Sequence, residues 1–198
     1  MLPNSLKNLV DHFKSLPGIG GKTAERLAFS MLDFDKNSLT NFSNAILDIR
    51  DHICYCEVCG NIADDKLCSI CGNSDRDAST IFVVEKPKDI ILFEKLGIYK
   101  GVYHVLNGLI SPLDGVGPDD IDLKGLSNRI SNGDVNEIIL ALKPSIEGET
   151  TMQYIRKIFE NQNIKISKIA TGVPIGTDME YIDSLTLELA IDERKNMN

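Results

Sequence analysis

Four cysteines in two closely spaced pairs carry the clearest chemistry in this sequence. Cys56-x2-Cys59 is separated by eight residues from Cys68-x2-Cys71. The two thiolates of each pair can bind one ion, and four thiolates suit tetrahedral zinc, with Zn–S distances of about 2.3 Å. Because no ligand position is left for water, we expect one structural Zn²⁺ per chain, which helps to fold a short segment.

Other interpretations of this cluster stay open. The four thiols can be buried without a metal, or can hold an iron–sulfur cluster, but the paired spacing favours zinc. Cys54 and His52 lie beside the cluster. Since a regular set of four ligands already exists, we expect neither residue to bind the metal, and we expect Cys54 to be a small buried apolar side chain.

A glycine-rich turn lies in LPGIGGKTAERLAF, residues 16–29. A nucleotide-binding P-loop would need a glycine where Leu16 stands and a strand before the turn, whereas the pattern predicts a helix there. We therefore expect a helix-hairpin-helix that binds backbone phosphates of DNA without sequence specificity. The N–H groups around Gly18 and Gly20 and the start of the second helix would contact a phosphate.

Two basic side chains follow this turn. Lys22 and Arg26 are four residues apart, so they lie on one face of the second helix and can reach neighbouring phosphates. The alternative is that the turn simply joins two packed helices and that both cations are ordinary solvated charges.

Two glutamates follow predicted strands in the second half of the chain. Glu85 comes after IFVV, and Glu147 lies in LALKPSIEGETT, residues 140–151. These stretches resemble the Toprim domain of topoisomerases and primases, where a glutamate and a D-x-D-x-E-G-E-type segment hold Mg²⁺. The two aspartate positions are Lys143 and Ser145 here, so we expect poor binding of Mg²⁺ and a scaffold for partner contact. Alternatively, the glutamates pair locally with Lys86, Lys88 or Lys143.

The elements that must position these residues differ between the two halves. Before the cysteines, apolar residues at helical spacing predict three packed helices, the first capped by Asn4 or Ser5 and the third with Leu39, Phe42, Ile46 and Ile49 inward. From residue 79 onward, strand and helix patterns alternate and end in a final helix, and the first helix of this half, residues 87–97, should end at Gly97. This alternation predicts a mostly parallel sheet covered by helices.

Charge and hydropathy limit how this protein can contact nucleic acids and membranes. The net charge is −8 over 198 residues, yet residues 1–50 carry six basic and five acidic side chains, a net of +1. We therefore expect any contact with a polyanion to be local to this segment. No signal-peptide run and no apolar stretch near 18 residues occurs, so we expect a cytosolic protein that does not enter membranes.

The order of these features resembles the RecR family of bacterial recombination mediators. A helix-hairpin-helix with LPGIG-x-KTAERLAF, knuckles eight residues apart and a degenerate Toprim domain occur in that order. NGLISPLDGVGPDDI (107–121) and ATGVPIGTDMEYID (170–183) are also similar to segments of that family. One departure is Lys143 and Ser145, where many relatives carry an asparagine and a threonine.

The resemblance implies an α+β multidomain fold. Its parts would be a helix-hairpin-helix DNA-binding segment at 1–53, a C4-type zinc finger at 54–75, a Toprim domain at 79–174, and a C-terminal tail and helix at 175–198. Lys22 and Arg26 match DNA-contacting positions, and Cys56, Cys59, Cys68 and Cys71 match the zinc ligands. The face around Glu85 and Glu147 is the expected contact for RecO.

The resemblance also implies a function without catalysis. Members form homotetrameric rings that can encircle DNA, and they act with RecO and RecF at single-strand gaps and junctions. There they help RecA replace single-strand-binding protein, independently of the RecBC pathway. We expect a cytoplasmic protein that is nucleoid-associated when bound to DNA. The alternatives are a metal-dependent Toprim enzyme, nuclease- or primase-like, and a zinc-stapled assembly protein that never meets DNA.

Overall fold

The computed structural model describes residues 2–196, which divide after Ile53 into two compact units. The first unit contains the helices α1 (Asn4–Lys14), α2 (Gly21–Ser30) and α3 (Lys36–His52), with a 3₁₀ turn at Met31–Asp33. Helix α1 begins after Pro3, which supplies no side-chain cap, so the predicted cap at Asn4 or Ser5 is wrong. Proline starts a helix well because its φ is already close to helical.

The core of the first unit lies between α1 and α2. Leu6 and Val10 of α1 are buried against Ala24 and Ala28 of α2, both of which are fully buried. Alanine at these positions removes side-chain bulk between the two helices and lets them pack closely. The two helices are thereby held on either side of the glycine turn.

Helix α3 departs from the prediction of three packed helices. None of its side chains is buried. The predicted inward residues are exposed by 38% at Leu39, 44% at Phe42, 56% at Ile46 and 64% at Ile49. The helical spacing of these residues was predicted correctly, but their burial was not, because the first unit provides no surface against this stripe.

The second unit is built on a four-stranded parallel sheet. Its strands are β3 (Asp77–Val84), β4 (Gly101–Val105), β5 (Glu137–Ala141) and β6 (Lys165–Lys168), in the order β4-β3-β5-β6. A short antiparallel pair, β1 (Cys54–Tyr55) with β2 (Ile62–Ala63), precedes it. Val84 is in register with Val105 and with Ala141. The carboxyl ends of the three neighbouring strands therefore meet at one edge.

Helices α4 (Pro87–Leu96), α5 (Leu123–Asn132), α6 (Ile146–Ile158) and α7 (Ser184–Asp192) complete the second unit. The predicted glycine stop is confirmed, because Gly97 ends α4 with φ of 68°, a left-handed conformation that glycine adopts without strain. The predicted parallel sheet with helices, and the α+β class, are also confirmed.

The two faces of the sheet pack against different partners. One face, with Ile81 and Val83, packs against α5 and α6 through Leu126 and Ile155. The other face shares a core with α4 and the zinc-finger cysteines, formed by Phe82, Val84, Ile90, Tyr103, Val105, Cys56, Cys59 and Cys68. Alternation of side chains along β3 gives each layer its own set of residues. The cysteine segment is thus part of the layer that covers the sheet.

Helix α7 lies near the end of the described chain. None of its side chains is buried. Glu193, its C-terminal cap residue, forms an ion pair with Lys168 of β6 and accepts a hydrogen bond of 2.9 Å from the hydroxyl of Thr171. Within residues 2–196, no helix combines the length and the apolar character needed to cross a bilayer.

Candidate nucleic-acid interface and metal centre

The four predicted zinc ligands converge. The Sγ atoms of Cys56, Cys59, Cys68 and Cys71 all lie within 4.8 Å of one another, and those of Cys59 and Cys68 are 3.6 Å apart. A tetrahedron with Zn–S bonds of about 2.3 Å has S–S edges of about 3.8 Å. All four cysteines are free thiols rather than disulfides. The sulfur positions therefore suit one tetrahedral ion.

Backbone hydrogen bonds shape both knuckles in the same way. Gly60 N–H donates to the carbonyl of Cys56, and Gly72 N–H donates to that of Cys68, each at 2.9 Å. Gly60 has φ of 72°, and a Cβ added there would lie 3.3 Å from the Cβ of Val105. Only the first knuckle therefore requires glycine for its backbone conformation and for its approach to β4.

The thiol pKa values differ within the cluster. Burial opposes ionisation of Cys56, but backbone N–H groups of Cys68, Cys59 and Val58 outweigh it and lower the thiol pKa to about 7. The pKa of Cys59 is raised, first by its hydrogen bond with Cys71 and then by burial. Four thiolates this close repel one another without a cation, and Zn²⁺ removes that penalty when it binds.

Cys54 is not one of the four converging cysteines, and its expected burial is wrong. Its side chain is exposed, and its Sγ donates to the carbonyls of Ala63 and Asp65 at 3.3 and 3.2 Å. A cysteine in a two-residue edge strand finds backbone acceptors across the turn instead of an apolar pocket. His52 ends α3, with its Nδ1 at 3.9 Å from a carboxylate oxygen of Asp48.

The glycine turn joins α1 to α2 in the predicted helix-hairpin-helix arrangement. Gly18 has φ of 79°, and Ile19 N–H donates to the carbonyl of Leu16 at 3.2 Å. Gly20 is the extended N-cap of α2, and the first hydrogen bond of that helix runs from Ala24 N–H to its carbonyl at 2.9 Å. The N–H groups of the three residues between Gly20 and Ala24 have no intrahelical acceptor and form the positive end of the helix dipole.

The two predicted phosphate contacts lie in the first two turns of α2. Lys22 and Arg26 are exposed, and neither has a carboxylate within 4.0 Å in the described part of the chain. A third cation, which was not predicted, lies nearby. A Cβ added at Gly21 would lie 3.6 Å from Cε of Lys14, whose ammonium is 3.8 Å from the carboxylate of Asp11. No local pattern pointed to this residue, because Lys14 belongs to α1.

A second group, which we call the Toprim edge, consists of Glu85, Lys143, Ser145 and Glu147. Glu85 follows β3, and its carboxylate lies 3.2 Å from the ammonium of Lys86. Ser145 is the N-cap of α6 and accepts from Gly148 N–H at 3.2 Å. The pKa of Glu147 is lowered, chiefly by hydrogen bonding to the Ser145 side chain, and the charge of Lys143 adds to this.

The rest of the E-G-E segment is also engaged within the protein. A Cβ at Gly148 would lie 1.9 Å from the carbonyl oxygen of Lys143, so only glycine fits where α6 begins. The Glu149 carboxylate lies 3.5 Å from the ammonium of Lys168 on β6. Within residues 2–196, the four cysteines are the only group of three or more His, Cys, Asp or Glu side chains with ligand atoms this close together.

Comparison with known proteins gives matches along the whole chain. Three segments match RecR family domains: the helix-hairpin-helix at 6–50, the four-cysteine zinc finger domain at 53–73 and the C-terminal domain at 172–195. Residues 79–170 match the Toprim domain. The chain is 46% identical over 195 residues to proteins named Recombination protein RecR from Staphylococcus aureus strains Newman, COL and MW2, covering 98% of each sequence. This chain belongs to the RecR family.

Membership in the RecR family settles the metal centre. The match to the family's zinc finger spans all four cysteines, whose sulfur atoms are arranged for one ion. This RecR-family protein therefore contains one structural zinc site formed by a four-cysteine finger. Its relatives are recombination proteins by name, so its general role is in recombinational repair.

Proposed function

We propose that this RecR-family protein is a non-enzymatic, DNA-binding mediator of recombinational repair. It acts with RecO and RecF at single-strand gaps and single/double-strand junctions, in a RecBC-independent pathway, and helps to load RecA on single-stranded DNA. The observation that carries the DNA-binding role is the hairpin turn. There, Lys22 and Arg26 stand exposed beside three N–H groups that have no intrahelical acceptor.

Each segment of the chain has its own role in this proposed function. Residues 1–53 bind DNA, residues 54–75 hold zinc as a structural clamp, residues 79–174 provide the surface for RecO, and residues 175–198 form the tail. In this proposal Lys22 and Arg26 contact phosphates rather than base edges, so binding is independent of base sequence. The protein acts in the cytoplasm and is associated with the nucleoid when bound to DNA.

Two considerations support a homotetrameric ring. Two cations per chain give weak binding, with a salt slope of only about −2, and several copies on one DNA strengthen it through avidity. The exposed apolar stripe of α3, with Phe42, Ile46 and Ile49, is the kind of surface that a second copy covers. In such a ring the basic turns face the hole, while the acidic remainder of the −8 chain faces outward.

We propose that the protein is not an enzyme because of the side chains at the Toprim edge. Lys143 adds a positive charge where a metal-binding aspartate would stand, and Ser145 uses its oxygen to cap α6. Glu149 is paired with Lys168. The rival is a metal-dependent nuclease or primase. It requires Mg²⁺-dependent turnover of DNA or nucleotides by the pure protein, abolished by Glu85→Gln, and we expect no such turnover.

The decisive experiment removes the two cations at the turn. We expect the K22A/R26A double variant to lose binding to labelled gapped DNA, with the salt slope falling by about 2 per copy, while zinc content and oligomer size stay unchanged. A matched control, K7A/K36A, removes two exposed charges of the same unit away from the turn and should retain binding. Equal affinity of K22A/R26A and the wild type would move the DNA site elsewhere.

A further inference from the structure

A cavity of about 390 Å³ opens beside the Toprim edge. It lies between the residues that follow β3, including Glu85 and Lys86, and those at the end of β5, including Leu142 and Lys143. The connection from β3 leads to β4 on one side, whereas β5 lies on the other side. The cavity is therefore at the switch point of the sheet, where open parallel sheets bind their ligands.

The charged groups around this cavity are not balanced. Its two acids already have partners: Glu85 pairs with Lys86 at 3.2 Å, and Asp89 accepts the backbone N–H of Lys86 at 2.9 Å. Lys88 and Lys143 also line the cavity, and no carboxylate lies within 4.0 Å of either ammonium among residues 2–196. The cavity lining thus has three lysines against two acids, and two of its ammonium groups have no carboxylate within ion-pair distance.

The walls between these charges are apolar. Leu92, Phe93, Ala141 and Leu142 line the cavity. Leu92 is 61% exposed, and the stripe continues along α4 to Leu96, which is 62% exposed. Lys88, Leu92 and Leu96 are spaced by four residues, so they form one row about 12 Å long on the helix. This row extends beyond what a small anion in the cavity would cover.

We propose that the cavity and the α4 row bind an acidic, leucine- or phenylalanine-containing segment of a protein partner. Carboxylates of that segment pair with Lys88 and Lys143, and its apolar side chains cover Leu92 and Leu96. The proposal rests on the partner role assigned above to the Toprim edge and names the chemistry of that partner. Lys143 thereby has a function of its own: it turns a position suited to a metal ligand into one that receives a carboxylate.

The test uses the full-length, zinc-loaded protein and fluorescent 12-residue peptides in which Glu alternates with Leu or Phe. We expect micromolar binding that weakens at least about ten-fold in K88E/K143E, where attraction becomes repulsion. L92S should weaken binding without any change in charge. The control K100E/K157E reverses two exposed lysines outside the cavity lining and should bind normally. A peptide with Lys in place of every Glu should not bind.

Three results would overturn the inference. One is equal peptide binding by wild type and K88E/K143E. Another is saturation of the cavity by inorganic phosphate, without peptide binding, in a spectrum of methyl-labelled leucines. The third is saturation of the cavity by a 12-mer of deoxythymidine, again without peptide binding, in the same spectrum.

A parallel binding assay with RecO separates this inference from the proposed function. If E85Q/E147Q abolishes RecO binding but no acidic peptide binds, the partner surface stands and the acidic-segment proposal falls. If acidic peptides bind through Lys88 and Lys143 but E85Q/E147Q leaves RecO binding intact, the cavity stands and its assignment to RecO falls.

Discussion

The second unit contains the zinc finger and the Toprim edge, and the two differ in the side chains that they offer to a metal. In the zinc finger, four sulfur atoms lie within 4.8 Å of one another. At the Toprim edge, Lys143 and Ser145 stand where the Toprim resemblance would place two aspartates, and Glu149 pairs with Lys168. The comparison teaches that a metal site depends on its donor set as a whole, because both places have an ordered backbone and, within residues 2–196, only the finger brings four donor atoms together.

The structural consequences of the two sites also differ. Cysteine side chains of the finger share a core with Phe82, Val84 and Val105, so its metal and the sheet stabilise each other. At the Toprim edge, Ser145 still caps α6 and Gly148 still admits the carbonyl of Lys143. The local backbone there is therefore held by hydrogen bonding and close packing.

Removing zinc should have the largest effect. We expect Cys59→Ser, or chelation, to eliminate bound zinc and to lower the free energy of unfolding of the second unit by several kcal/mol, out of the roughly 10 that a structural zinc can supply. Native mass spectrometry and thermal denaturation measure these two quantities. Cys54→Ser is the matched control, since it removes a thiol outside the ligand set. An unchanged melting temperature in zinc-free protein would show that packing alone holds the finger.

The two knuckle glycines should differ by a smaller amount. Gly60 has φ of 72° and approaches Val105, whereas Gly72 would place a Cβ at an ordinary 3.4 Å from the carbonyl of Cys68. We expect Gly60→Ala to cost about 1–2 kcal/mol and Gly72→Ala less than about 0.5 kcal/mol in chemical denaturation. Equal losses would mean that the first knuckle relaxes away from β4.

Restoring carboxylates at the Toprim edge should have the smallest effect. In K143D/S145D a cation becomes an anion, and aspartate can still cap α6. We expect weak Mg²⁺ binding, with stabilisation of about 0.4 kcal/mol when the free Mg²⁺ concentration equals the Kd.

The matched control for that variant is K143N/S145N, which is similar in size but neutral. Thermal melts with MgCl₂ at constant ionic strength distinguish the two. If wild type responds to Mg²⁺ as strongly as K143D/S145D, the lysine does not exclude the metal.

Local patterns predicted much of this molecule. The cysteine spacing identified a ligand set that does converge, and Gly97 marked the end of α4 because left-handed backbone favours glycine. The alternation of strand and helix patterns predicted the parallel sheet. These features depend on residues close in sequence, or on the spacing of apolar residues within a single helix or strand.

What could not be predicted depends on distant contacts. The stripe of α3 has core spacing but lies exposed, since periodicity does not say which surface a helix meets. Lys14 approaches Gly21 only because α1 folds back on α2. Cys54 finds carbonyl acceptors in a hairpin too short to show any alternation.

One backbone hydrogen bond connects the zinc finger to the protection of an edge strand against aggregation. Val105 N–H, on the outermost strand β4, donates to the carbonyl of Cys59 at 2.8 Å, while the adjacent Leu106 N–H donates to Val84 of β3. The metal loop thus occupies a backbone donor on the open side of the sheet. If the metal loop detached, the edge of β4 and the apolar side chains that the loop covers would be exposed to another chain. Loss of zinc would then cause aggregation of the protein as well as unfolding.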